Sequence, residues 1–352
     1  MKKIIVFKSD RLGDLILFSP CLKIIKDNNK DTHITLICSN YNFQVAKNYS
    51  YVDEFIIFSR KNMFMNIFKN FRKLFFTKYK YLFQFDGKNS SYFISYFVFS
   101  KIKSTICFIK HKRFFGLNYL ISRPSKYLLK IFYNNFIYCD EEYTVSKNDK
   151  SLVQYQAIYF NLLEKLNFKI THKKNLFFLD KSSQEIYNKF FDQFINQKYL
   201  LFHFDEKWDR YKPIDYENTL KIINKISKKN KLIITTGVKD FTFLKDLNKK
   251  FKVFNFINNE IVPNNSTNVT NVMVLKNLPV NLLSYFIKNS EKNISSHSGF
   301  LIHISPAFNK DTLDIIPKSK NEELDRWIPL VSKYQRINFE ELNDAFIENF
   351  KF

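Results

Sequence analysis

The chain has 352 residues, 45% hydrophobic and 25% charged, which excludes intrinsic disorder and leaves room for two domains with cores of their own. It contains no run of eighteen uncharged apolar residues, so no transmembrane helix is expected, and Lys8, Ser9, Asp10 and Arg11 interrupt the opening apolar run too early for a signal peptide. The net charge of +23 predicts an acidic partner (nucleic acid, an anionic membrane or a phosphorylated substrate), although a chain this rich in Lys, Asn, Ile, Phe and Tyr is also what an AT-rich coding sequence would produce.

The elements follow in chain order. Residues 4–7 form an apolar strand that runs into a polar loop closing on Gly13 and Asp14, and an apolar helical segment follows. A strand, a tight turn and a helix put the turn residues at the carboxyl edge of a parallel sheet, where open α/β sheets bind ligands. Asp14 in the first helical turn is placed to act as a general base, or simply to cap the helix. Ser19-Pro20 reads as a cap followed by the first helical residue, so the helix is expected to kink or restart there. Residues 33–38 and 54–58 are further strands. Residues 60–80 alternate Phe, Met and Ile with Lys and Arg at helical spacing, a basic amphipathic helix suited either to a membrane interface or to an ordinary core. A strand over 81–87 ends in Asp86-Gly87, a helix spans 90–100, a strand spans 105–109, and 110–140 read as loop and short helix. A helix covers 150–167, and the stretch 168–180 is the linker candidate.

The second half repeats the theme. Strands are expected at 199–204, 231–237, 271–275, 293–296 and, last, 312–316; helices at 216–228, 280–289 and 339–352. Two βαβ series joined by a linker predict an α/β protein of two Rossmann-like domains, with parallel sheets facing a central cleft. The domains are expected at 1–174 and 175–337, with a C-terminal helix in 338–352 packing back on the first. Cys21, Cys38, Cys107 and Cys139 are scattered in apolar surroundings, without metal spacing, and predict buried thiols in a reducing cytoplasm.

Several segments, taken in order, resemble the lipopolysaccharide heptosyltransferases of glycosyltransferase family 9, which have the GT-B fold. They are RLGDLILFSPCLKIIK, HITLICSNYNFQVAKNYSYVDEFIIF, KYKYLFQFDGKNSS, DEKWDRYKPIDY and KNISSHSGFLIHIS, and they span about residues 1–330. The resemblance implies an inverting, metal-independent transfer of a sugar, a heptose in the family. The donor would be a nucleotide diphosphate, ADP-linked in the family, and the acceptor a lipopolysaccharide-core or related lipid-linked glycan. No cofactor is implied. It implies Asp14 as the base. Lys207 or Lys212, with Trp208 beside the first, would neutralise the diphosphate, and Ser298, Gly299 and His303 would lie in the second donor loop. The sequence departs from the family where His297-Ser298-Gly299 stands for Asp-Thr-Gly, and His303 lies one residue later than usual.

Such chemistry needs a base for the acceptor hydroxyl and positive charge or backbone amides for the leaving diphosphate. Lys8, Arg11 and Gly13 are expected in the same cleft, and Gly237 at a strand end allows close approach of a nucleotide. Asp86 reads as a strand-end turn former, and His203 as structural. The chain is expected in the cytoplasm, peripheral to an anionic inner membrane that 60–80 and 110–135 would meet. A nucleic-acid binder has neither zinc-finger spacing nor an RNP-like motif to support it. A GT-B scaffold that has lost activity is the other alternative, motivated by the altered donor loop.

Overall fold

Apolar runs of four to nine residues, separated by helical segments, build a parallel sheet in each half of the chain. The computed structural model describes residues 2–58, 63–108, 111–114, 117–120, 124–139, 154–204, 216–236, 247, 249–264, 271–296 and 298–349. They fall into two compact units, Met1–Phe177 and Phe178–Phe352.

The strands of the first unit are β1 (Lys2–Phe7), β2 (Thr32–Cys38), β3 (Glu54–Ile57), β4 (Tyr79–Gln84), β5 (Ser100–Phe108), a hairpin of β6 (His111–Phe114) and β7 (Leu117–Leu120), and β8 (Asn135–Cys139). The sheet order is β3-β2-β1-β4-β5-β8, every pair parallel. The order reverses between β1 and β4, the switch point at which such sheets take ligands. Alternation along β1 sends Ile5 and Phe7 into one core, under α3 (Met63–Lys69), α4 (Phe71–Phe75), α5 (Asn89–Phe97) and α6 (Lys126–Phe132). On the remaining elements, α1 (Leu12–Asp27) packs against α2 (Asn40–Ala46) and α7 (Tyr155–Lys165).

Three expectations change here. Helix α1 neither stops nor restarts at Pro20. Proline leaves the Ile16 carbonyl without its usual donor, and Ser19 Oγ donates to that carbonyl at 2.6 Å. The stretch 60–80 is not one helix: α3 and α4 break at Asn70, and its last residues open β4. Within 110–140, β8 adds an edge strand where loop was expected. The linker stretch 168–180 holds the division between the units, after Phe177, and its first part is strapped to α1: Asn28 accepts from Lys169 N at 2.8 Å, Asp27 meets His172 at 2.8 Å, and Leu176 N donates to Ser19 Oγ at 2.7 Å.

In the second unit, helix α8 (Lys181–Phe190) precedes β9 (Tyr199–Phe204), helix α9 (Tyr216–Ser227) and β10 (Lys231–Thr236). Then come β11 (Lys252–Ile257), β12 (Glu260–Pro263), β13 (Val272–Lys276), β14 (Lys292–Ser296), β15 (Asp311–Ile316) and β16 (Lys333–Asn338). The order is β12-β11-β13-β10-β9-β14-β15-β16, antiparallel only between β11 and β12. The switch point lies between β9 and β14. Three strands were not expected: the β11–β12 pair, and β16, which takes the edge beyond β15. Helix Asp344–Asn349, expected to return to the first domain, lies on α9 in this unit, with Lys221 on Asp344 at 2.7 Å and Ile347 buried in the same core.

Candidate functional site

The first switch point gathers charge. β1 ends at Phe7, and the next seven residues carry Lys8, Asp10 and Asp14, while β4 delivers Phe85 and Asp86 alongside. Lys8 is not open to solvent: it is 1% exposed and lies over the rings of Phe18 and Tyr159 at 5.7 and 5.2 Å. Its ammonium donates to Asp10 Oδ2 at 2.7 Å, to the Phe85 carbonyl at 3.1 Å and to Tyr159 Oη at 3.2 Å, one acceptor for each N–H. Burial alone would lower its pKa, but Asp10, Tyr159 and Asp14 outweigh that and hold it above the ordinary lysine value.

The three carboxylates differ in what they have left to offer. Asp86 is buried and spent: Oδ2 accepts from Ser9 N, Ser9 Oγ and Ser91 Oγ at 3.2, 2.7 and 2.8 Å. Its Oδ1 accepts from Gln84 Nε2 at 3.3 Å and Lys88 N at 3.1 Å. It is thus more than the turn former expected, since it fixes the loop after β1 to the end of β4. Asp10 is half committed, with Oδ2 on Lys8 and Oδ1 unpartnered among the described residues. Burial pushes its carboxyl up, Lys8 pulls it down, and Asp14 and Asp86 push it up again, to about 7. Asp14 sits in the first turn of α1, half-buried, with no hydrogen-bond partner among the described residues. It therefore caps nothing through a hydrogen bond, its charge suits the positive end of the helix, and its lone pairs are free to take a proton. Exposed Arg11 is the N-cap residue but makes no side-chain cap, and half-buried Gly13 leaves the first turn without a side chain beside Asp14.

The second switch point is neutral where it is described. Ser298 is fully buried; its N–H donates to Ser295 Oγ at 2.7 Å and its Oγ accepts from Leu301 N at 3.3 Å, capping helix Gly299–Ile304. The donors left for an anion are the first-turn amides of Gly299 and Phe300, which the helix's own carbonyls do not reach. His303 is 3% exposed, and its Nε2 meets the Trp327 carbonyl at 2.8 Å, which ties the helix to the loop before β16. His203 is buried against Thr235 Oγ1 at 2.9 Å, the structural part expected of it. Lys207, Trp208, Lys212, Gly237 and His297 lie outside the described residues. Among the described residues, no cluster of His, Cys, Asp and Glu could hold a metal ion, and no helix is long and apolar enough to cross a membrane.

Sequence reasoning named Lys8, Arg11, Gly13 and Asp14 but missed Asp10 and Tyr159 as parts of the same network. Asp10 carried a usable signal, a carboxylate two residues beyond a lysine at a strand end. Tyr159 carried none, because α7 meets Lys8 only through the fold.

No protein-family model matches the chain, and no curated protein matches it. Solved structures do. A glycosyl transferase of family 9 from Veillonella parvula superposes with a TM-score of 0.72 at 14% identity, covering 97% of this chain and 86% of that one. E. coli ADP-heptose lps heptosyltransferase II gives 0.64 at 12% identity, covering 98% and 94%. E. coli heptosyltransferase WaaC with ADP gives 0.63 at 12% identity, covering 96% and 93%. The likeness runs through both units, and the chain has the GT-B fold that the sequence resemblance implied.

Proposed function

We propose that this chain is an inverting glycosyltransferase that moves a sugar, a heptose by its resemblance, from an ADP-linked donor to a lipopolysaccharide-core or related lipid-linked glycan on the cytoplasmic side of an inner membrane. The observation that carries the reading is the uncommitted carboxylate of Asp14 at a switch point where Lys8 and Asp86 are buried and fully engaged. Asp14 takes the proton from the acceptor hydroxyl as its oxygen attacks the anomeric carbon. The bond from that carbon to the diphosphate breaks, and the diphosphate leaves with the electron pair. Lys207, or Lys212 in its place, together with the Gly299 and Phe300 amides, balances the charge that develops there. Asp10 and Lys8 hold the loop on which Asp14 depends. Two structural neighbours, the WaaC structures with ADP and with ADP-2-deoxy-2-fluoro heptose, support a nucleotide-sugar donor by their fold likeness.

A thermal-shift screen of ADP, UDP, GDP and their sugars tests the donor. A ligand at a hundredfold its Kd stabilises by about 2.7 kcal/mol, so ADP compounds should raise the melting temperature and the others should not. Transfer should persist in EDTA. The altered His297-Ser298-Gly299 loop, with Ser298 spent on its own helix, favours one second reading, an inactive scaffold. Nucleotide binding without transfer to any glycan acceptor would select it.

A further inference from the structure

We propose that the outward face of α4, α5 and α6 docks this chain onto an anionic lipid bilayer, with aromatic rings entering the headgroup–acyl boundary and lysines meeting the headgroups. A surface helix ordinarily turns polar residues to solvent. Helix α5 does not: Tyr92, Ile94 and Val98 are buried in the core, while Phe93 and Phe97 stand exposed, their rings 5.2 Å apart. Phe99, just beyond the helix, is 66% exposed. Helix α6 lies beside α5, with Phe132 stacked on Tyr96 at 4.2 Å, and it presents Tyr127, Leu128 and Ile131 in the same manner. Phe68 at the end of α3 and Phe76 after α4 are 81% and 73% exposed. These helices all pack on one core over one face of the first sheet, so the exposed rings crown a single layer.

The charge around them is one-sided. Residues 55–139 hold sixteen Lys and Arg and a single acid, so this quarter of the chain carries fifteen of the net +23. That acid, Asp86, is buried and spent on its neighbours, and of the lysines on these helices Lys73 is paired with Glu54 from outside the stretch, which leaves the surface with a large positive excess. A second copy of the chain is a poor occupant, because it would bring the same positive charges face to face. Nucleic acid would suit the lysines but offers no apolar partner to Leu128 and Ile131. An anionic bilayer satisfies both halves at once. The proposal does not rest on the transferase reading, and its readout involves no nucleotide.

Vesicle flotation of the full chain tests it, using phosphatidylcholine with and without phosphatidylglycerol. The wild type should float with the anionic vesicles, and less so at high salt. Lys126→Gln with Lys130→Gln should weaken binding about fivefold for each charge removed. Phe93→Ser, Phe97→Ser and Phe99→Ser together should weaken it about tenfold or more. Phe99→Gln alone, in the loop before β5, gives a smaller loss in the same direction should the triple variant melt early. Failure to float with anionic vesicles, equal floating with neutral vesicles at any salt, or ring variants that float like the wild type would overturn the proposal. So would self-association or nucleic-acid binding that depends on these residues without vesicle binding.

Discussion

In the first unit, β1 hands the chain to Lys8, Asp10 and Asp14, and β4 brings Asp86 beside them; in the second, β14 hands it to Ser298 and Gly299. Both places sit where a parallel sheet reverses its strand order. One is filled by a buried ammonium and three carboxylates. The other, where it is described, is filled by hydroxyls and a buried histidine, with hydrogen bonds to neutral groups at Ser298 N, Leu301 N and the Trp327 carbonyl. The same topology thus serves two chemistries. The charged turn leaves Asp14 without a hydrogen-bond partner among the described residues, while Lys8 and Asp86 are fully engaged and Asp10 is held by one oxygen. In the neutral turn the first amides of helix Gly299–Ile304 have no carbonyl of their own helix to meet. In the proposed reaction these are proton removal and diphosphate departure.

The comparison breaks most sharply at Asp14. Asp14→Asn should lower turnover by about two to four orders of magnitude, the usual share of general-base catalysis. Steady-state transfer assays check this, and wild-type turnover would reduce Asp14 to a charge at a helix end. Next in size is the buried pair. Lys8→Met strands Asp10 and the Phe85 carbonyl, and should cost about 3 kcal/mol in urea unfolding. Asp10→Asn on top of Lys8→Met should recover part of that loss, because it removes the orphaned carboxyl.

Asp10 also gives the first turn a pH dependence. Its carboxyl stands at about 7 against an ordinary 3.8, so folding favours the protonated form. That contribution is whole below about pH 4 and is lost as pH rises through about 7. The stability of the wild type relative to Asp10→Asn should therefore fall across this window, as chemical denaturation at several pH values would read. The smallest effect belongs to the neutral turn. His303→Phe should cost about 1 kcal/mol, one hydrogen bond to the Trp327 carbonyl, and leave turnover nearly unchanged.

Much of this was legible in the sequence, for physical reasons. The central strands are continuous apolar runs because they are covered on both faces, and β1, β2, β9 and β10 fall within a residue or two of where periodicity put them. Edge strands carry no such run. KYQRIN reads as polar tail because β16 has a neighbour on one side only, and NFIYC hides in a basic stretch for the same reason. The unbroken α1 was illegible because its repair at Pro20 comes from a side-chain hydroxyl rather than from helix propensity. The place of Asp14 in the first helical turn was legible from strand, glycine turn and helix. The burial of Lys8 was not, since Phe18, Phe85 and Tyr159 reach it from three separate elements. The donor part of Ser298 and His303 also looked different in sequence, where neither the Leu301 cap nor the Trp327 contact is visible.

The most direct test measures ADP affinity and sugar transfer on one preparation of Asp14→Asn beside the wild type. The account predicts that calorimetric ADP binding stays near the wild-type value while transfer, followed by the mass gained by a lipopolysaccharide-core acceptor, falls by about two to four orders of magnitude. Transfer at the wild-type rate, or loss of ADP binding together with transfer, would contradict it.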